Sequence, residues 1–130
     1  MTTILGLSGS LRSRSFNTAL LTAAAEMMPA EIQLEITTIQ GIPLYNEDVE
    51  SMEGEPKSVT VLKRQISDAD GLLISTPEYN HSIPGVAKNA IDWLSRPLSD
   101  IPRIFGARPI AIMGAAMSNF GTIQAQRAWL

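Results

Sequence analysis

The sequence predicts an α/β fold built on a parallel sheet, and three observations predict it. Strand-like and helix-like segments alternate along 130 residues, the pattern of right-handed βαβ units. Gly71-Leu72-Leu73-Ile74-Ser75 is a continuous apolar run, as expected of a strand covered on both faces. Polar loops follow the first, third and fourth predicted strands, so all three fall at the carboxyl edge of the sheet, where such folds bind ligands.

Residues 3–7 form the first strand, an uncharged and mostly apolar run. Leu20, Leu21, Ala24, Met27 and Met28 then recur at helical spacing, and Pro29 stops that helix. In residues 34–39, Leu34 and Ile36 face one way and Glu35 the other, an alternation suited to an edge strand. Residues 41–54 are polar, with Pro43, Asn46 and four acids, and are expected to form an exposed loop. Pro56 opens a second helix whose Val59, Leu62, Ile66 and Ala69 share a face. After the strand at 71–75 and a polar loop at 77–82, Pro84 opens a third helix. Val86, Ala87, Ala90, Ile91 and Leu94 form its inner face, and Pro97 ends it. Residues 109–113 are the fourth strand, 114–121 a loop, and a last helix starts near Thr122 and runs to the chain end.

This length is that of one ordinary domain and buries roughly two-thirds of the unfolded surface, enough for a core without staples. Apolar residues make up 45% and charged residues 18%, a globular composition. Ten basic and 13 acidic side chains give a net charge of −3, which argues against bulk attraction to nucleic acid or an anionic membrane. The absence of cysteine removes disulfides, thiolate nucleophiles and cysteine metal sites, and one histidine, His81, cannot make a multi-histidine centre. Residues 1–25 carry two arginines, several serines and no acid. That superficially suggests a transit peptide, but the apolar opening fits a buried strand. No run approaches the ~20 apolar residues of a membrane span, and the expected location is the reducing cytoplasm.

The first loop carries the most specific chemistry. Between the strand and the helix stand Ser8, Ser10, Arg12, Ser13, Ser15 and Asn17. Backbone N–H groups at a helix start have no intrahelical partner and the helix dipole favours negative charge, so this loop suits a phosphate. The same serines equally suit a simple helix cap, with Ser15 as N-cap. Neither the Gly-x-x-x-x-Gly-Lys-Ser/Thr of a P-loop nor a Gly-x-Gly-x-x-Gly after the first strand occurs. In the second loop, Thr76-Pro77-Glu78-Tyr79-Asn80-His81-Ser82-Ile83-Pro84-Gly85, two stiffening prolines enclose an aromatic ring and several donors. A planar heterocycle can lie there; alternatively Tyr79 only covers apolar surface and His81 only hydrogen-bonds within the loop. Glu78 qualifies as a base only if buried.

Four motifs in order resemble the NADPH-dependent FMN reductases, which include quinone, azo-dye and chromate reductases. They are Ser8-Gly9-Ser10-Leu11-Arg12 through Ser15-Phe16-Asn17, Pro43-Leu44-Tyr45-Asn46, the run Pro77 to Gly85, and Lys88-Asn89-Ala90-Ile91-Asp92-Trp93-Leu94. The resemblance implies a flavodoxin-like three-layer sandwich with strand order 2-1-3-4, the family's fifth strand missing, over a single FMN-binding domain spanning residues 1–130. It assigns Ser10, Arg12, Ser15, Phe16 and Asn17 to the FMN phosphate and ribityl region, and Pro77, Glu78, Tyr79 and Asn80 to the flavin ring. Tyr45 would approach the cofactor edge or a subunit contact. Residues 114–121 look like the segment that closes over the ring, with Ala116 among the cofactor contacts. Relatives place a serine at Ala116, a glycine at Ser118 and an arginine at Gln124, so a hydroxyl donor and a subunit-contact network are absent here. They also continue through a fifth strand and a further helix. The expectation is therefore a fragment, a frameshifted product or a self-associating chain, with residues 109–113 presenting an uncovered apolar edge.

The activity implied is hydride transfer from NADPH or NADH to FMN and on to a small-molecule acceptor: a quinone, azo compound, metal oxyanion or free flavin. FMN carries the hard chemistry, so no catalytic side chain is assigned. The implied assembly is a homodimer or homotetramer, with neither nucleic acid nor membrane as partner. An electron carrier of flavodoxin type, or a shortened chain without a working site, are the alternatives.

Overall fold

The computed structural model describes all 130 residues. Four strands, β1 (Thr2–Ser8), β2 (Ile32–Thr38), β3 (Gly71–Ser75) and β4 (Ile110–Met113), form one parallel sheet of order β2-β1-β3-β4. β1 is central, with Gly6 opposite Ile36 on one side and Leu73 on the other. Six helices accompany it: α1 (Phe16–Glu26), α2 (Glu47–Glu53), α3 (Lys57–Asp68), α4 (Gly85–Leu94), α5 (Ile101–Phe105) and α6 (Ile123–Trp129). The strand order agrees with the flavodoxin-like expectation.

Period-two alternation sends Leu5 and Leu7 of β1, with Leu72 and Ile74 of β3, to one face. There they pack against Leu62 and Ile66 of α3 and Ala87, Ala90 and Leu94 of α4 in one buried cluster. The opposite face of β1 receives α1. A Cβ on Gly6 would stand 2.9 Å from Leu21 Cδ2 and 3.2 Å from Leu34 Cδ1, so glycine is what lets α1 approach. Leu21 is fully buried there, worth about 2 kcal/mol of hydrophobic stabilisation.

Several expectations are corrected. Residues 41–54 are not all loop: α2 forms within them, because the Asn46 side chain caps the Asp48 N–H and the acids Glu47, Asp48 and Glu50 favour the positive helix end. Residues 98–105, unassigned above, hold a short 3-10 turn (Leu98–Asp100) and α5. Met27 is exposed, not part of an inner face, because α1 ends at Glu26. On α4 the fourth buried position belongs to Trp93, whose Nε1 donates to the Pro43 carbonyl, while Val86 faces outward. β4 pairs only with β3, and Ile110 is 44% exposed, the uncovered apolar edge that was expected.

The one fully buried cation is Lys63 on α3. Its Nζ donates to Glu55, to the Arg96 carbonyl and to Asp100 Oδ2, the last at 2.8 Å. These bonds fasten the segment after α4 to α3. The Lys63 hydrogen bond is the chief reason the Asp100 carboxyl lies below its ordinary value of 3.8, against an opposing push from burial. A carboxyl depressed in the folded state stabilises above its unfolded pKa, and that stability is lost as pH falls through the folded value. Asp100→Asn should therefore cost about 1 kcal/mol at neutral pH. In urea unfolding series the gap to the parent should narrow once pH drops below 3.8 and vanish beyond the depressed folded-state pKa. A gap independent of pH contradicts this account.

Candidate functional site

Parallel pairing puts the loops after β1, β3 and β4 at one end of the sheet, and strand order reverses between β1 and β3. The first loop leaves β1 with the Gly9 N–H on the Ser75 carbonyl at 2.9 Å. Ser15 is the N-cap of α1, as expected, its Oγ accepting from the Asn17 and Thr18 amides at 3.2 Å each. Those two amides are thereby used. The amides of Ser10, Leu11, Ser13, Arg14 and Phe16 find no acceptor within the protein. The Ser10 Oγ accepts from the Arg12 N–H at 3.2 Å, leaving its own proton to donate. Arg12 has no acidic partner, and its guanidinium lies 5.0 Å over the Phe16 ring, a cation–π contact that fixes its direction. The loop is thus a set of unspent donors with two unpaired cations, Arg12 and Arg14, of which Arg12 lines the cavity described below.

Asn17 is almost completely buried. Its Oδ1 accepts from the Ala115 N–H at 2.9 Å and the Ser75 hydroxyl at 3.1 Å, and its Nδ2 donates to the Ala115 carbonyl at 3.1 Å. One side chain on α1 therefore joins the ends of β3 and β4. Assigned above to the phosphate and ribityl region, it spends its oxygen and one Nδ2 proton inside the protein.

The second loop begins with the buried Thr76, whose N–H continues the ladder to the Met113 carbonyl at 2.9 Å. Tyr79 and Ser82 exchange N–H···O bonds around Asn80 and His81, both at positive φ (52° and 59°), the geometry of a two-residue hairpin turn. Asn80 therefore stands at the turn tip and does not line the cavity described below, because the left-handed turn carries it away. The His81 side chain is 88% exposed and makes no hydrogen bond, so it is not the loop hydrogen-bonder considered above. Glu78 is only 12% exposed, but its Oε2 accepts from the Gln124 and Ala125 amides at 2.7 and 2.9 Å. It caps α6 and is not a free base.

Gly114 starts the third loop in a place no other residue fits: a Cβ would fall 2.0 Å from Thr122 Oγ1 and 2.5 Å from the Thr76 carbonyl. Beyond it Met117 and Phe120 are 88% and 80% exposed. Tyr45 lies apart from these loops. Its ring meets Trp93 edge-on at 5.0 Å and its hydroxyl donates to Glu50, which also accepts from Arg96. Burial first, and that hydrogen bond second, raise the phenol pKa and keep it protonated.

The three loops enclose a cavity of about 130 Å³. The first contributes Ser10, Arg12, Ser15, Phe16 and Asn17, the second Pro77, Glu78 and Tyr79, the third Ala115 and Ala116. Nine of the ten residues singled out from the sequence meet here, Asn80 being the exception. Ala115 is the added one; its backbone serves, and nothing in its side chain signals this in the sequence. A second, wholly apolar cavity of about 250 Å³ lies beside β4, between Phe105, Ile110 and Trp129 among others. Every side chain that lines it is hydrophobic, with no charged group to pair an anion.

Against known proteins, the chain is 50% identical over 123 residues to an NAD(P)H-dependent FMN reductase of Pseudomonas aeruginosa, covering 95% of this chain and 64% of that one. It is 47% identical over 118 residues to a 2-hydroxy-1,4-benzoquinone reductase of a Burkholderia species (91% and 62%) and 43% identical over 124 residues to a quinone reductase of Escherichia coli (95% and 64%). The chain thus spans a little under two-thirds of these relatives. Among solved structures it superposes on FerB, a flavoenzyme NAD(P)H:(acceptor) oxidoreductase of Paracoccus denitrificans. The TM-score is 0.87 at 33% identity, over 99% of this chain and 69% of that one. An azoreductase of Bacillus anthracis, at 21% identity and a TM-score of 0.66 over 88% of this chain and 69% of that one, shares the fold. The model of the NADPH-dependent FMN reductase family matches residues 2–130, and the chain belongs to that family.

Proposed function

We propose that the chain forms the FMN site of an NAD(P)H-dependent oxidoreductase whose acceptors are quinones, with azo compounds, metal oxyanions and free flavin as further candidates of the same reaction type. The observation that carries the reading is the first loop. Five amides without acceptors, two hydroxyl protons and the unpaired guanidiniums of Arg12 and Arg14 lie along it, and Ser10, Arg12, Ser15 and Phe16 line the cavity beside the Pro77–Tyr79 turn. That donor set fits a phosphate dianion joined to a flat, weakly polar ring.

When bound, FMN supplies the hydride and electron transfer between nicotinamide and acceptor. The chain's own residues bind and orient. Ser10, Ser15 and the amides of Leu11, Ser13, Arg14 and Phe16 donate to the phosphate, and Arg12 neutralises its charge. Phe16 directs Arg12, and the buried Asn17 holds the loops in register. Pro77 and the Tyr79 ring offer apolar surface, and Ala116 adds no donor. The cavity is smaller than a whole-ligand pocket and Tyr79 is half exposed, which supports an open ring face reachable by nicotinamide and acceptor in turn. The relatives' names support the quinone class. Exposed Leu44, Met117, Phe120 and Ile123 support self-association as a dimer or tetramer.

Protein purified with added FMN should be yellow and should bleach under NADPH, with colour restored by a benzoquinone. A preparation that stays colourless after mixing with FMN contradicts the proposal. In fluorescence titrations Arg12→Ala should weaken FMN binding roughly 10- to 100-fold, the equivalent of the ~1.5–3 kcal/mol of a hydrogen bond to a charged group. Ser15→Ala should show two losses together: about 1 kcal/mol of stability from the missing cap and several-fold weaker FMN binding. Full stability in this variant would show that the cap is not at Ser15.

A further inference from the structure

We infer that Glu78 is a positioning residue: reaching across from the second loop, it caps α6 and so holds the third loop against the cavity. This departs from the flavin contact that the family resemblance suggests, and it rests on the FMN reading only for its functional consequence.

Thr122 stands at the N-cap of α6, yet it provides no side-chain cap: its Oγ1 accepts from Gln126 Nε2. The amides of Gln124 and Ala125 would be left without acceptors. Glu78, 46 residues earlier in the chain, supplies one oxygen to both, at 2.7 and 2.9 Å. Two charge-assisted bonds and the helix dipole then favour the carboxylate in place. Its other oxygen lies 3.9 Å from His81 Nδ1, too far for a hydrogen bond.

The third loop has its own reason to need this anchor. At its start Asn17 grips both polar groups of Ala115; at its end Glu78 grips the first turn of α6. Between them, the recorded bonds of Ser118 and Gly121 run to each other and not to the rest of the chain. Asn17 and Glu78 are therefore the two fixed points of this segment, one on each side of Ala116. Both line the same cavity, so the distance between their anchor points sets its width.

The test pairs Glu78→Ala with Glu78→Gln, since a glutamine carbonyl can accept from both amides without the charge. Amide hydrogen exchange, measured without ligand, should rise about tenfold at Gln124 and Ala125 in E78A, with Leu72–Ile74 unchanged. FMN affinity should fall by a similar factor, about tenfold. E78Q should bring both back to within about threefold of the parent. If E78A does not fold, Glu78→Asp, one methylene short of α6, takes its place with the same expectation. Unchanged exchange at Gln124 and Ala125 in E78A or E78D overturns the cap. Parental exchange in E78Q with FMN binding as weak as in E78A overturns the positioning role and assigns the charge to the ligand. A parent protein that fails to bind FMN sinks the proposed function, while the exchange measurements still decide the cap.

Discussion

The buried amide of Asn17 is the constraint on which the site depends. An asparagine in an apolar interior is tolerated only when its polar atoms find partners, and here both its oxygen and its nitrogen find them in groups at the ends of two strands, β3 and β4. Because α1 begins one residue earlier, the same residue fixes where the helix start lies relative to β3 and the third loop. The parallel sheet brings the loops to one edge; Asn17 decides how far apart they stand. Gly114 completes the arrangement by letting the third loop pass under Thr122 and the Thr76 carbonyl without a side chain in the way.

The loops divide the work between donors that are used and donors that are left. Ser15, Asn17, Ser75, Thr76 and Glu78 spend their polar atoms on the protein. Ser10, Leu11, Ser13, Arg14 and Phe16 spend none of their amide protons, and Arg12 and Arg14 have no acid beside them. The donors left over in the first loop are what the proposed anion site draws on. Side-chain identity matters little for those five amides, which is why an anion site can be built from Leu, Ser, Arg and Phe alike.

Much of this was legible in the sequence, for reasons that differ by element. β3 announced itself by an unbroken apolar run, and Ser15 by being a hydroxyl residue between the first strand and the helical pattern. Strand order followed from the edge character of residues 34–39 together with the family resemblance. The helix at Glu47–Glu53 was hidden because it buries no residue, so no apolar period marked it; the Asn46 cap and the acidic first turn were the available signal. The roles of Asn17 and Glu78 could not be read, because each is defined by partners 98 and 46–47 residues away in the chain. That Asn80 stands at a turn tip outside the cavity lining was equally hidden, because sequence adjacency to Tyr79 conceals the reversal that a left-handed turn imposes.

The central claim is that an anionic tail sits on the first-loop amides while a flat ring rests at the second loop. Amide chemical-shift mapping with FMN and with riboflavin, which lacks the phosphate, tests it most directly. The account predicts that FMN moves the Leu11, Ser13, Arg14, Phe16 and Tyr79 resonances, and that riboflavin binds more weakly and moves Tyr79 alone among them. Equal affinity for the two ligands, or shifts gathered around Ile110 and Trp129 at the apolar cavity, would contradict it.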